Sequence, residues 1–253
     1  LDCDKWVREN KKTYYEGWEY YLKYFGSNSI HFLGKEWYKG AYNNGLDSYA
    51  IMKTNGYNFL VIGLELEPEN DVIDWVQSVL EQYKGYPTII VMHEYLMLTY
   101  DKKRPGVPAI QNKMYMRKGE NRNTPQDFYD KIVTKNDQIF MILSGHNFVQ
   151  RLCESTRVDV NDFGHDVYAL HSDFQYRSEL IDESKIIGKK QGCGDGWMRL
   201  MTFNIPEKMI KVETYSTETN KYEKDMDSAF TIYFDFDWNE RFFHFDNSFN
   251  LII

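Results

Sequence analysis

Two histidines stand directly behind the two most apolar stretches of the chain. His93 follows residues 88–92, and His146 follows residues 139–143 after a Ser144-Gly145 step. Both stretches are of the kind that fills a strand covered on both faces of a sheet. Since the ligand crevice of an open α/β sheet lies outside the carboxyl ends of its strands, both imidazoles are predicted to face one crevice. Neutral imidazole is the commonest metal ligand, so the pattern predicts a metal site held by His93 and His146.

Each histidine also has a purely structural interpretation, in which its ring caps a strand end and bonds a neighbouring carbonyl. One such histidine alone favours that interpretation, whereas two at equivalent strand ends favour a shared site. His165 and His171 flank the predicted strand 167–170, which favours a turn and a strand end over a metal cluster. The three glycines at 192, 194 and 196 precede no helix and are a weak nucleotide-binding signal.

Periodicity predicts the elements that must position these side chains. Residues 71–83 place their apolar side chains on one helical face, with Asn70 as the candidate N-cap. A second helix is predicted over residues 4–25, a short one begins at Pro125, and Asn55-Gly56 predicts a tight hairpin. Further strands are predicted at residues 167–170, 198–203, 209–215 and 229–234. Strand–helix–strand units followed by strands alone indicate one α/β domain that grades into an antiparallel second sheet.

The polar stretch 94–125 is too long for an ordinary connection and is predicted to be a loop. Basic residues outnumber acidic ones in its 101–125 portion, where they include Lys102, Arg104 and Arg122. Such a loop could hold an anionic substrate or partner over the site. The alternative, which we favour, is a solvated loop without a binding role.

The composition is that of a folded, acidic chain. Its 253 residues carry a net charge of −8, and 42% are hydrophobic and 17% aromatic, which suits a ring-rich, β-rich core. The acidic balance disfavours nucleic-acid binding, and no apolar run reaches the roughly 18 residues of a membrane span. We therefore expect a soluble protein, secreted or cytoplasmic. Three cysteines without a CxxC pair disfavour a zinc ribbon, and a start at Leu1 predicts an upstream segment.

The histidine motifs and their surroundings resemble the calcineurin-like metallophosphoesterases. The resemblance rests on Val91-Met92-His93-Glu94-Tyr95-Leu96 and Gly145-His146-Asn147-Phe148, with further similar stretches at residues 47–49, 60–66 and 194–200. It runs from about Trp18 to Phe234. It implies a β-sandwich flanked by helices in a four-layer α/β/β/α fold, and hydrolysis of phosphate esters at a two-metal centre. It also implies that His93 and His146 bind one of the two ions, a divalent transition metal (Mn, Fe or Zn).

Two departures from the family pattern reduce the expected metal centre. Phe148 replaces the second histidine of the Gly-His-x-His motif, a ligand of the other metal, which makes that site degenerate. The Asp-x-His, Gly-Asp-x-x-Asp and Gly-Asn-His-Asp/Glu motifs are missing from residues 1–253, and with them the bridging Asp, the Asn ligand and the catalytic-acid His. Residues 1–235 therefore resemble the C-terminal half of a phosphoesterase, with its metal reduced to one site or lost.

Two functions follow from these departures. In the first, an N-terminal half of the same fold, upstream or on another subunit, completes a metal-dependent phosphoesterase. In the second, the chain is a non-catalytic pseudophosphatase that acts as a structural or assembly protein. Residues 236–253 form an aromatic C-terminal tail. It is preceded and begun by residues 234–238, in which aromatic and acidic side chains alternate as in a strand. An aromatic strand face of this kind either binds a protein partner or completes the second sheet.

Overall fold

A computed structural model describes residues 18–54, 56–114, 121–147, 153–175, 177, 194–237 and 240–243. Its helices are α1 (Glu19–Phe25), α2 (Asn70–Gln82) and α3 (Pro125–Phe128), the last continued by a π-helical turn, Tyr129–Val133. The strands of the first half are β1 (Tyr38–Tyr42), β2 (Asp47–Thr54), β3 (Tyr57–Leu64), β4 (Thr88–Met92), β5 (Leu96–Asp101) and β6 (Arg104–Ile110). Those of the second half are β7 (Ile139–Ser144), β8 (Glu154–Val160), β9 (Asp166–Ser172), β10 (Trp197–Asn204), β11 (Met209–Ser216), β12 (Lys221–Tyr222) and β13 (Phe230–Tyr233). Single 3-10 turns occur at Asn43–Gly45 and Gly194–Gly196.

Seven strands form the larger sheet, in the order β1-β2-β3-β4-β7-β9-β8. The four central strands β3, β4, β7 and β9 are parallel, so that their carboxyl ends share one edge. At the two sides of the sheet, β2 and β8 run antiparallel to their inner neighbours. The mixed α/β architecture dominated by sheets confirms the fold class predicted from the alternation of strand and helix patterns.

The second sheet is antiparallel and packs against one face of the larger sheet. Strand β11 pairs with β10 along its whole length on one side and with β12 and β13 on the other. Aromatic and aliphatic side chains fill the space between the sheets, including Phe59, Phe140, Val212 and Ile232. The predicted antiparallel, sandwich-like second sheet is confirmed.

Helix α2 covers the opposite face of the larger sheet. Val72, Val76 and Leu80 are buried on its inner side, against β-strand residues such as Ile62 and Ile90. The predicted helix 71–83 is thus confirmed, but the cap is different. Asn70 is the first helical residue and not the N-cap. Its side-chain amide donates to the side-chain oxygen of Asn121 instead of capping the helix. The described residues therefore form three layers: helix, mixed sheet and antiparallel sheet.

Residues 94–125 are not the loop that the sequence predicts, because β5 and β6 form a two-stranded hairpin within them. Pro105 and Pro108 disfavour a central strand, since proline cannot donate to a sheet ladder. Each strand of a two-stranded hairpin has one side free of partners, so the prolines are accommodated. The hairpin packs through Leu96 and Ile110 into the core under α2.

Two other predictions concern turns and helix ends near the N-terminus. The hairpin predicted at Asn55-Gly56 joins β2 to β3, and Gly56 has the positive φ of +82° that this turn requires. Asn55 lies outside the described residues. The helix predicted over 4–25 is described only from residue 18, where α1 occupies Glu19–Phe25 and buries none of its side chains.

The described part of the aromatic tail lies in the core and not on the surface. Phe234, Phe236 and Phe242 are buried between the two sheets, where Phe236 packs edge-on against Phe140. The interpretation of this aromatic face as a partner surface is therefore wrong for these three side chains, since they have no exposed area to offer. Residues 238–239 and 244–253 of the predicted tail lie outside the described residues.

Arg241 connects this aromatic segment to the amino ends of the parallel strands through hydrogen bonds. Its guanidinium lies beside the rings of Phe234 and Phe242, 5.3 and 5.0 Å from their centroids, and donates to the carbonyls of Asp137, Ile139 and Asp166 at 2.8, 3.0 and 2.9 Å. These carbonyls lie at or just before the starts of β7 and β9. Burial lowers the pKa of Arg241 to about 10, which still leaves the group charged at neutral pH.

We expect Arg241→Met to lower the free energy of unfolding by roughly 3 kcal/mol or more. The reason is that three strand-end carbonyls lose their donor at once, and a buried unsatisfied polar group costs about 1–3 kcal/mol. Urea denaturation followed by circular dichroism measures the change. Lys208→Met is the control, because it removes a long cationic side chain whose partners Asp235 and Asp237 are exposed. Equal decreases in the free energy of unfolding of the two variants would contradict the stabilising role of the Arg241 hydrogen bonds.

Candidate functional site

The carboxyl ends of β4 and β7 bring the two predicted histidines together. The strands are parallel neighbours in register at Val91 and Leu143, and each continues by two or three residues to its histidine. His93 Nε2 lies 2.8 Å from His146 Nδ1, and the ring centroids are 4.6 Å apart. One of these nitrogens therefore carries a proton towards the lone pair of the other. The juxtaposition expected from the strand ends is present, while metal binding by the pair stays a prediction.

His146 is presented by a tight turn after β7. Its backbone has a φ of +74°, which a residue with a side chain adopts only when its surroundings hold it there. The amide of Gly145 donates to the carbonyl of His93 at 3.0 Å, so the two strand ends are joined directly. A Cβ atom at Gly145 would lie 3.1 Å from the carbonyl oxygen of Ser172, which explains the glycine. The Asn147 side chain donates to the carbonyl of Leu96 at 2.8 Å.

A buried carboxylate lies behind His146. Glu94, the residue after His93, is 1% exposed, and its Oε2 is 4.0 Å from His146 Nε2. The two nitrogens of the His146 ring therefore face His93 on one side and a carboxylate on the other. The 4.0 Å separation exceeds hydrogen-bond distance, so this contact places a carboxylate near the ring without a bond between them. Glu94 lies within the motif around His93, but nothing in its sequence context predicts a role for it.

His171 belongs to the same edge, although sequence analysis placed it only at a strand end. Strand β9 is the parallel neighbour of β7, and Ser144 pairs with His171. The His171 ring is fully buried, with Nε2 2.5 Å from the carbonyl oxygen of Asn147. Burial lowers the pKa of His171 and so favours its neutral form. The rule that sites lie at the carboxyl ends of parallel strands located His93 and His146. It also applies to β9, but only once β9 is known to lie beside β7. His165, at the other end of β9, pairs with Asp137 at 2.7 Å.

A second buried polar group occupies this edge at β2 and β3. The Asp47 carboxylate is fully buried, and its Oδ1 accepts from the backbone amide of Glu65 at 2.9 Å. The Arg122 guanidinium lies 3.8 Å from the Glu65 carboxylate and bonds Glu69 at 2.9 Å. Burial raises the pKa of Asp47 to about 7, and the carboxylates of Asp71 and Glu69 add to the shift, while the Glu65 amide and Arg122 oppose it.

The basic residues of the 101–125 segment, for which anion binding was the less favoured interpretation, are in part neutralised. Arg104 forms an ion pair with Asp159 at 2.9 Å, and Arg157 bonds both Asp159 and Asp101. These pairs tie the β5–β6 hairpin to strand β8. Since the side chain of Arg122 is also buried against carboxylates, two of the cations that suggested anion binding already have acidic partners. Arg117 and Lys118 lie outside the described residues.

The glycine-rich segment before β10 is a packed turn. Gly194 has a φ of +75°, and a Cβ there would lie 3.2 Å from the carbonyl oxygen of Phe174. The Ser216 hydroxyl donates to the carbonyl of Asp195 at 2.5 Å and joins the turn to β11. Close packing accounts for these glycines, in agreement with the weak weight given to them as a nucleotide motif. Gly192 lies outside the described residues.

The histidine pair supplies two of the donors that a metal site needs. Two nitrogens bound tetrahedrally to one ion, each at about 2.1 Å, would lie about 3.4 Å apart, so the 2.8 Å separation of His93 Nε2 and His146 Nδ1 is that of a hydrogen bond, and the rings would have to move apart to hold an ion. Within the described ranges, no group of three His, Cys, Asp or Glu side chains is arranged to hold a metal ion. The described edge therefore offers two nitrogen donors and a buried carboxylate near one of them. Phe148 lies outside the described residues.

Comparison with known proteins gives one curated relative. The chain is 25% identical over 209 residues to the uncharacterized protein YvnB of Bacillus subtilis strain 168. The match covers 80% of this chain and 14% of the relative, so the chain spans about one seventh of the length of the curated relative it matches. No protein-family model and no solved structure matches. In the portions of the chain that the structure describes, no helix is long and apolar enough to cross a membrane.

The buried Asp47 predicts an unusual pH dependence of stability. Its pKa is raised on folding, so between about pH 4 and pH 7 the native state keeps a proton that the unfolded state has lost. The free energy of unfolding should therefore fall as the pH rises through this window, by up to roughly 4 kcal/mol for a three-unit shift. Asp47→Asn keeps the acceptor for the Glu65 amide and should remove this slope.

Denaturant titrations at several pH values test this expectation. Asp74→Asn, at an exposed carboxylate of α2, is the control and should keep the parent profile. An Asp47→Asn variant whose stability has the same slope as the parent between pH 4 and pH 7 would show that the Asp47 proton is not linked to folding.

Proposed function

We propose that this chain is the C-terminal part of a metal-dependent phosphoesterase of the calcineurin-like type. The observation that carries the proposal is the contact of His93 and His146 at the carboxyl ends of two adjacent parallel strands. Two face-to-face sheets with a helix on the outer side of the larger one support it further, because they agree with the sandwich of the expected fold and with one of its two helical layers.

In this proposal, His93 Nε2 and His146 Nδ1 would bind one divalent transition metal ion, Mn, Fe or Zn. When bound, such a centre polarises phosphoryl oxygens and supplies a hydroxide nucleophile. The chain's own contribution is to position the two imidazoles. The buried strands β4 and β7 fix the backbone beneath them, the bond from Gly145 to the His93 carbonyl sets their spacing, and the Glu94 carboxylate lies 4.0 Å from His146 Nε2.

The remaining ligands must come from outside the set that the described residues provide. A hydrolytic centre needs at least three protein ligands for each ion, commonly including carboxylates. We assign the missing donors to a complementary N-terminal half, on the same polypeptide or on another subunit. The length of the curated relative is compatible with this, since the match occupies 14% of it. The substrate would be a phosphate ester bound between the two halves.

A non-catalytic pseudophosphatase is the second candidate. The favouring observation is that the His93–His146 contact satisfies a nitrogen of each ring without any ion. Phe148, in place of the second histidine of the motif, points in the same direction because a phenyl ring has no lone pair to donate. Under this proposal the edge keeps its geometry for assembly and does not hydrolyse esters.

Metal binding separates the phosphoesterase proposal from a purely structural histidine pair. Equilibrium dialysis of the chain against Zn²⁺ or Mn²⁺ at neutral pH should give one bound ion. His93→Ala and His146→Ala should each lower the affinity by at least tenfold, since each removes one of two nitrogen donors. His165→Ala is the control, because that ring lies at the other end of β9. Unchanged affinity in both site variants would exclude the metal site.

Hydrolysis separates the enzyme from the pseudoenzyme. A preparation that contains the chain together with its N-terminal half should hydrolyse p-nitrophenyl phosphate or its bis ester, and His93→Ala should abolish turnover. Turnover that survives this substitution would contradict the enzyme proposal. Metal binding without turnover in the parent, with turnover gained by Phe148→His, would instead support the degenerate site of a pseudophosphatase.

A further inference from the structure

The turn that carries His146 adopts a backbone conformation that its own sequence does not favour. His146 has a φ of +74° although it is not a glycine, and the amide of Asn147 donates to the carbonyl of Gly145 at 3.0 Å within the turn; contacts from outside the turn add to this bond. Two such contacts act on its flanks. The Gly145 amide donates to the His93 carbonyl at 3.0 Å, and the Asn147 side chain donates to the Leu96 carbonyl at 2.8 Å.

A third contact acts on the backbone immediately after His146. The carbonyl oxygen of Asn147 lies 2.5 Å from Nε2 of His171. Because a carbonyl only accepts, this nitrogen must carry the hydrogen, which leaves Nδ1 as the bare nitrogen of a neutral ring. His171 Nδ1 is buried without a partner among the described residues, so a second proton on that nitrogen would have no acceptor there. The ring is therefore a fixed donor.

The sheet itself fixes where this donor stands. Ser144 at the end of β7 pairs with His171 in β9, so the imidazole lies beside the point where the chain leaves the sheet. The ring is fully buried and cannot reach a ligand directly. Its influence on the site must pass through the Asn147 carbonyl to the backbone of His146.

We propose that His171 is a positioning residue for the metal-binding pair, which it serves by holding the Asn147 carbonyl and thereby the left-handed conformation of His146. The inference rests on the proposed function in so far as the pair binds metal. Its structural half, the control of the turn by His171, stands without metal and can be measured without it.

Two substitutions distinguish a donor from a space-filling side chain. His171→Gln places an amide N–H where the imidazole Nε2–H lies and should keep the turn. His171→Leu fills the space without a donor and should release it. Val167→Ala, at the opposite end of β9, is the matched control, since it opens a cavity at a buried position of the same strand away from Asn147. It reports how much of any effect comes from loss of stability alone.

The first readout is hydrogen exchange of the Gly145 amide in the metal-free chain, because this amide bonds the His93 carbonyl. Exchange at Gly145 should be at least tenfold faster in His171→Leu than in the parent, beyond any change seen in Val167→Ala, and near the parent rate in His171→Gln. The second readout is Zn²⁺ affinity, which should fall tenfold or more in His171→Leu and recover in His171→Gln.

Parent-like exchange in His171→Leu, or equal effects of Leu and Gln, would overturn the positioning role. A parent that binds no Zn²⁺ would contradict the proposed function alone, since the exchange readout would still decide the role of His171. Should His171→Leu not fold, long-range ¹H–¹⁵N spectra of the parent provide the test. A His171 ring protonated on Nδ1 instead of Nε2 at neutral pH would overturn the proposal.

Discussion

The parallel pairing of β4 with β7 is the constraint on which the rest of the structure depends. Both strands contribute side chains to both cores: Ile90 and Ile142 pack in the helix-covered core, and Ile89 and Phe140 pack against the second sheet. Such strands cannot slip by one residue without exchanging the side chains of the two cores. Their register, and with it the meeting of His93 and His146, is therefore set by packing throughout the domain and not by the site itself.

The sequence predicts those parts of the molecule in which local pattern and tertiary packing agree. The apolar runs before His93 and His146 give buried strands, and the helical face of residues 71–83 gives α2. The hairpin at residues 94–110 was missed because its prolines argue against a central strand, although a two-stranded ribbon accommodates them. His171 was missed for a different reason: its importance comes from the neighbour that β9 acquires, and strand order is not visible in a single sequence.

Charged residues were the least predictable part of the candidate site. The excess of cations in residues 101–125 suggests a surface that attracts anions, yet Arg104 pairs with Asp159 and Arg122 is buried against Glu69. Composition counts charges but does not say which of them have partners. The N-cap of α2 was predicted wrongly for the same reason, since the sequence does not show which partner a polar side chain will find. The Asn70 side-chain amide bonds Asn121, which is distant in sequence, instead of a local backbone group.

The hydrogen bonds of Arg241 lie at the amino ends of β7 and β9, whereas all three histidines of the candidate site lie at the carboxyl ends of their strands. The residues that hold the strand starts and the residues of the candidate site are therefore separate in space. Substitutions around His93 leave the Arg241 bonds in place, and stabilising changes near Arg241 can be introduced without disturbing the histidine pair. The stability of the domain and the candidate site can therefore be engineered independently.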